Sequence, residues 1–308
     1  MNAVRLTAAA LLLAACAPAA DPSRPPSPSP GDGVTEAGLL RLADRRDFDE
    51  GYLRAGLAHR DPAMARRAAW VLANLRRAEG VALLGPVLAH RDTSVAATAA
   101  FALGQIADSA AVPLLVPYAD AARAAAAPTV VAEAAYALGK IRHPQARAAL
   151  ETLLRTVDAD GSGAREVAGA ALLAIWRQGR PTPVDAIEPW IRHADPEIRW
   201  RAAYALARRP EPAATAALFR AAADPEPLVR SFVARALTGP MADSSGVGRQ
   251  AAWQTLRGLA EDDPAQIVRI NALRTLGTYP GEPTLRVLLG AAGSSEHPYE
   301  VIAALEGL

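Results

Sequence analysis

The stretch Ile198-Arg-Trp-Arg-Ala-Ala-Tyr-Ala-Leu206 sets apolar residues at its start and then four, seven and eight positions on, with charged residues between. At about 100° per residue those offsets share one face of a helix, whereas a strand would alternate strictly. The phrase recurs from Val95 to Leu103, from Val130 to Leu138 and from Leu228 to Leu237. Its closing residues, Leu72, Leu103, Leu138, Ala174, Leu206, Leu237 and Leu276, are separated by 31, 35, 36, 32, 31 and 39 residues. A pattern of this period belongs to stacked helix pairs, each too small to bury its own apolar face. After a lead-in helix over Glu36 to Arg45, pairs are predicted at 48–58/63–75, 79–89/94–106, 110–119/128–141, 144–157/164–177, 184–193/196–207, 212–222/226–238, 247–260/264–276 and 281–291/298–308. The fold class is therefore all-α: an α-solenoid of about eight stacked pairs occupying residues 35–308.

The turns repeat as well. His59-Arg-Asp61-Pro62, His90-Arg-Asp92-Thr93, His193-Ala-Asp195-Pro196 and Asp262-Asp263-Pro264 each precede a phrase-bearing helix. The Asp carboxylate accepts from orphan amides of the first turn, and Pro at the first helical position lacks an amide that has no partner anyway. Two connections exceed the others, Thr156 to Ala164 and Thr238 to Gly248. They read either as flexible spacers or as loops on a binding face, where solenoid insertions often lie.

Asp-Pro turn, Val-Arg start and Ala-Ala-x-Ala-Leu helix together resemble the HEAT-repeat family in its short form, that of the PBS-lyase-like repeats. The resemblance covers about residues 46–308 and implies that the phrase-bearing helices line a concave side. The family's Arg after the first apolar position is present as Arg199, Arg230 and Arg269, while Ala65, Ala96 and Val131 stand there in the first half. An Asp–Arg ladder between repeats is expected only from about residue 195 onward. Ankyrin and tetratricopeptide signatures are absent, and no residue supports the bilin-lyase role of related short HEAT repeats.

Composition refines this picture. Hydrophobic residues are 51% of the chain but aromatics only 5%, so the core is Ala, Leu and Val. With 33 basic against 32 acidic residues, the strongly basic face of a nucleic-acid binder is not expected. Arg5 followed by the apolar run Leu6 to Ala15 reads as an export signal, too short to span a bilayer. It ends in Leu13-Ala-Ala-Cys16, which resembles the lipobox of bacterial lipoproteins and implies a signal peptide over 1–16 with lipidation at Cys16. The single cysteine rules out an internal disulfide framework. Residues 17–34 form a Pro/Ser-rich linker that buries too little to order itself. Ala17 is not the Asp-type signal that retains lipoproteins in an inner membrane, so the expected address is the cell envelope, on the periplasmic face of the outer membrane in a diderm host.

Catalytic chemistry is sparse. Asp158-Ala-Asp160-Gly161 resembles the start of a calcium loop, but its twelfth position is Gly169 where a bidentate Glu is needed, so a structural turn is expected. The five histidines form none of the His-Glu dyads of HEAT-fold iron hydroxylases. His59 and His90 lie one repeat apart, about 8–10 Å between packed helices, too far to share a metal. No metal, no cofactor and no enzymatic activity are expected. The seventh position of the phrase carries Trp70, Phe101, Tyr136, Leu172 and Tyr204, then Arg235 and Arg274. It reads as a groove stripe for an extended peptide or, with greater weight, as rings packed between successive helices. The leading expectation is a monomeric, lipid-anchored scaffold for protein or peptide that touches the membrane only through its anchor. The last helix, Pro298 to Leu308, has no polar helix after it, and the alternative is the HEAT portion of an envelope peptidyl-prolyl isomerase whose cyclophilin-type domain would follow. Acyl chains contribute about 0.8 kcal/mol per buried methylene, so Cys16→Ser is expected to move the protein from sedimented membranes into the soluble fraction; retention in the pellet refutes the anchor.

Overall fold

A computed structural model describes residues 33–308, and residues 1–32, with the expected signal segment, Cys16 and most of the linker, lie outside the described residues. The helices are α1 (Glu36–Arg45), then α2 (Glu50–Leu57) paired with α3 (Pro62–Leu75), α4 (Gly80–Leu84) with α5 (Thr93–Ile106), and α6 (Val112–Leu115) with α7 (Pro128–Lys140). They continue as α8 (Pro144–Thr156) with α9 (Ala164–Ile175), α10 (Val184–Ile187) with α11 (Pro196–Ala207), and α12 (Pro212–Phe219) with α13 (Pro227–Ala236). Then come α14 (Gly239–Ser244), α15 (Arg249–Asp262) with α16 (Gln266–Leu276), and α17 (Glu282–Ser294) with α18 (Pro298–Gly307). Among the described residues there is no strand. The chain is an α-solenoid of eight helix pairs behind a single lead-in helix, and the predicted pairs are all present. Val34, assigned to the linker from sequence, is buried and belongs to the folded body.

Two layers result. The phrase-bearing helices α3, α5, α7, α9, α11, α13, α16 and α18 stack in that order, and α1 packs on α3 as an unpaired first member. The second layer is broken into short α and 3-10 pieces where Pro86, Pro113, Pro117 and Pro189 remove backbone donors. Contact stays between neighbouring modules. The longest separation bridged by a side-chain hydrogen bond among the described residues, from the Tyr279 hydroxyl to the Leu237 carbonyl, is 42 residues.

Starts and stacking both follow from small residues. Asp61, Asp92 and Asp195 each accept the amide two residues on at 2.9 Å. The preceding His59, His90 and His193 accept the amide of that Asp through Nδ1, each at 3.0 Å. The turn histidines thus extend the cap. Leu72, Leu103, Leu138 and Leu206 are fully buried between the layers. Beyond them the stacked helices come to backbone contact. A Cβ on Gly104 would lie 2.7 Å from Ala137 Cα, one on Gly139 2.5 Å from Ala174 Cβ, and one on Gly277 2.5 Å from the Gly307 carbonyl oxygen.

The expected ladder is present in the second half. Arg199 Nε meets Asp224 at 3.0 Å, Arg230 Nε meets Asp263 at 2.6 Å, and Arg269 Nη2 meets Glu300 at 2.7 Å. Each arginine also donates Nη1 to two carbonyls of its own turn: His193 and Ala194, Asp224 and Pro225, Asp263 and Pro264. One side chain therefore closes its own turn and clamps the next. The last rung uses Glu300, on α18 itself, in place of a turn Asp. In the first half Ala65, Ala96 and Val131 are buried and close the same position by apolar contact.

The two long connections are ordered. Thr238–Gly248 contains α14, whose Gly239 amide donates to Thr278 Oγ1 at 2.8 Å, and Arg249 pairs with Asp243 beside it. In Thr156–Ala164 the Asp158 carboxylate accepts the Asp160 amide at 3.2 Å, the turn expected in place of a calcium loop. At the far end, Leu285, Leu289, Ile302 and Leu305 of the terminal module are exposed.

Two predictions follow from the stacking and the ladder. Alanine is the better helix former, so Gly258→Ala, with open space around it, is expected to raise stability by about 0.5–1 kcal/mol. Gly139→Ala reverses that sign, because its Cβ would overlap Ala174, and should cost about 1–3 kcal/mol; urea unfolding of the two variants distinguishes them. In the rung Arg230–Asp263 the side chains are 11% and 3% exposed. Burial alone would raise the Asp263 carboxyl, but the Arg230 hydrogen bonds, the Ala265 amide and the Arg230 charge hold it below its ordinary value of 3.8. A depressed carboxyl contributes stability that is full above the ordinary value and is lost as pH falls through and below it. Asp263→Asn keeps the acceptor for Ala265 but leaves Arg230 without its counter-charge, and should cost about 3–5 kcal/mol at neutral pH. Its acid-unfolding profile below about pH 4 should be flatter than that of the parent.

Candidate functional site

The residues singled out from sequence are carried by the stacked helices α3, α5, α7, α11, α13 and α16, and they do not form one continuous stripe. Trp70 on α3 is 40% exposed, with the Arg67 guanidinium 5.7 Å from its ring. Phe101 on α5 is half-buried under the Lys140 ammonium of α7, 5.2 Å from its centroid. Leu172 on α9 is fully buried and interrupts the series. Arg274 on α16 is engaged by Glu306 at 2.5 Å, so the expected basic end is represented by Arg235 alone of the two. The rings are both partly in the core and partly accessible, because Phe101 and Tyr136 pack on the apolar cluster while keeping an open edge.

The contiguous part is centred on Tyr204. Its ring meets Trp176 edge-on at 6.0 Å and Phe232 edge-on at 5.5 Å. The Arg208 guanidinium lies 4.5 Å from Trp176 and 5.7 Å from Tyr204, Arg177 lies 5.1 Å from Trp176, and Arg235 lies 6.0 Å from Phe232. Edge-to-face ring pairs and cations over ring faces are each favourable by roughly 0.5–1.5 kcal/mol. Trp176, Tyr204 and Phe232 stand ten, six and three positions into their phrases. The row therefore descends about one helical turn per module, and a register read at a constant phrase position misses two of its three rings.

Tyr136 has a different neighbour. Gly169 on α9 lacks a side chain, and a Cβ there would lie 2.2 Å from Arg201 Nη1. Arg201 of α11 fills that slot, its guanidinium also 5.3 Å from the Trp200 ring, and its Nε is buried without a partner. Burial pushes the Tyr136 phenol up, with Arg201 opposing. Burial also raises the Glu133 carboxyl, against the Lys140 charge and with help from Glu166. Burial lowers the Lys140 ammonium, against Glu133 and with help from Arg177 and Arg76. The face thus carries carboxylates toward the helix starts and cations at the helix ends. Sequence reading missed Trp176, Phe232, Lys140, Arg177 and Arg208; the signal available was the recurrence of a cation at the end of successive phrases.

Among the described residues no three His, Cys, Asp or Glu stand together as a metal site, and no helix is long and apolar enough to cross a membrane. A groove of about 540 Å³ on the second layer, lined by Pro113, Val116, Pro117, Ala149 and Leu153, is mainly apolar.

Fold and face together define a helical-repeat protein with a ring-and-cation surface. The family model of HEAT repeats matches residues 52–127, 158–238 and 218–308, and that of the PBS lyase HEAT-like repeat matches residues 130–156. The chain belongs to the HEAT-repeat family. No curated protein matches it. Among solved structures, an engineered protein is similar at 21% identity and a TM-score of 0.50, over 88% of this chain and 83% of that one. Human deoxyhypusine hydroxylase in complex with glycerol is similar at 20% identity and a TM-score of 0.37, over 89% and 98%. The complex of CpcE and CpcF of phycocyanin lyase from Nostoc sp. PCC7120 is similar at 20% identity and a TM-score of 0.45, over 79% and 93%. Likeness at these identities concerns the fold.

Proposed function

We propose that the protein is a non-catalytic, monomeric scaffold that binds protein or extended peptide on the open face of its stacked helices, held at the cell envelope by a lipid on Cys16. In a diderm host its place is the periplasmic face of the outer membrane. The observation that carries the reading is the row Trp176–Tyr204–Phe232 with its flanking cations: half-buried rings, ordered by their neighbours and still partly accessible. Aromatic and arginine side chains held in this way are the usual anchors of protein interfaces. The close stacking of the phrase-bearing helices against the looser, proline-broken second layer favours a bend toward the former, which makes the ring-bearing face the concave one. The turn histidines serve as caps, which supports a role without catalysis.

The test separates binding from packing. Trp176→Ala combined with Phe232→Ala is expected to leave melting cooperative, at a moderately lower temperature, while abolishing crosslinked capture of the partner in the native envelope. A large loss of thermal stability with capture retained would make the rings core residues and remove the groove.

A further inference from the structure

Among the described residues, the cations of this face that form no ion pair with a carboxylate include Lys140, Arg177, Arg208 and Arg235. Elsewhere on the stacked layer Arg199, Arg230, Arg269 and Arg274 each grip an acid. The unpaired set is not scattered. Lys140 is the last residue of α7, Arg177 follows α9, Arg208 caps α11 and Arg235 sits in the last turn of α13. A cation at one helix end is explained by the helix dipole alone. Four on successive helices of the stack, with the nearest acids Glu133 and Glu166 further back along their helices, form a cationic edge at the helix ends.

The members act on one another. The charges of Arg177 and Arg76 help hold the Lys140 ammonium below its ordinary value, after burial and against Glu133. The acids of these helices, Glu133 and Glu166, stand about two turns or more back toward the helix starts. Each cation lies against a ring, Lys140 over Phe101 of the preceding helix, Arg177 and Arg208 both over Trp176, and Arg235 beside Phe232. Stacked helices advance by about 8–10 Å, which is close to three residues of extended chain at ~3.3 Å each.

We propose that this edge binds an extended segment of a partner protein with an acidic side chain at every third position. Its carboxylates would meet Lys140, Arg177, Arg208 and Arg235, and its other residues would lie on the rings beside them, Trp176 and Phe232 among them. The inference rests on the concave-face reading above and adds the chemistry of the ligand to it. Rings set beside the charges favour a chain that mixes acidic and apolar groups over a continuous polyanion, and the overall net charge of +1 points the same way.

The experiment measures anisotropy of a labelled peptide of about twelve residues, long enough for four modules, with Glu at every third position, binding to the full-length protein. The comparators are its Gln counterpart, an isomer with the Glu residues clustered, phosphatidylglycerol vesicles and single-stranded DNA. The spaced Glu peptide should bind best, more weakly as salt rises, and Arg177→Glu with Arg208→Glu should weaken it roughly tenfold or more while melting stays cooperative at a somewhat lower temperature, since the contacts with Trp176 and Tyr204 are lost. Equal binding of the Gln peptide overturns the charge preference but leaves the concave face as a peptide groove. Binding of neither peptide sinks both readings. Preference for the vesicles or the DNA, or a charge-reversed variant that binds the Glu peptide unchanged, overturns the proposal, and a variant that loses cooperative melting is replaced by Arg177→Gln with Arg208→Gln, read in the same way.

Discussion

Backbone contact between stacked helices is the constraint from which the rest of the molecule follows. Where Gly104 meets Ala137, Gly139 meets Ala174 and Gly277 meets Gly307, there is no room for one more methyl group. Helices that approach so closely can be joined only by residues with little or no side chain, which explains the alanine-rich phrase and the small share of aromatics. The contacts fall at the carboxyl-terminal ends of the helices. Long side chains at those ends have no interior to enter, so Lys140, Arg177 and Arg208 turn onto the open face and lie against rings. The surface chemistry of the array is thus a by-product of how tightly its backbone is stacked.

At the opposite helix ends the same stack is joined by different means in its two halves. Buried Ala65, Ala96 and Val131 hold the early modules, and arginine rungs hold the later ones. An apolar contact tolerates small shifts in angle. A guanidinium that donates to two carbonyls of its own turn and to the next module's acid does not, and it loses heavily if one partner is removed. The second half is therefore the more sharply specified geometry, and it includes most of the contiguous ring row.

Fold and face were legible in the sequence to different degrees, for a physical reason. A module of this kind buries its seam only against its neighbours, so every copy must carry the same apolar offsets, and the repetition of Leu103, Leu138 and Leu206 was enough to place each helix pair. The rungs were also readable, since Arg199, Arg230 and Arg269 occupy one position of the phrase. The ring row was not. Its members slip by a turn from one module to the next, so Trp176, Tyr204 and Phe232 share no phrase position, and Gly169 lets Arg201 reach across a helix in a way no single copy reveals. The final rung escaped for a related reason: Glu300 does from within a helix what Asp224 and Asp263 do from a turn.

Because each module touches only the next, the rungs divide the array into two lengths of unequal stiffness. In the first half the links between modules are of mixed kind, from the Arg67–Glu36 pair to the Gln178 amide on the Leu138 and Ile141 carbonyls, whereas in the second half one arginine position repeats the same clamp from module to module. The back half, carrying Tyr204 and Phe232, therefore has its module-to-module angle fixed by one repeated device, and a twist imposed on one joint is resisted in the same way at the next.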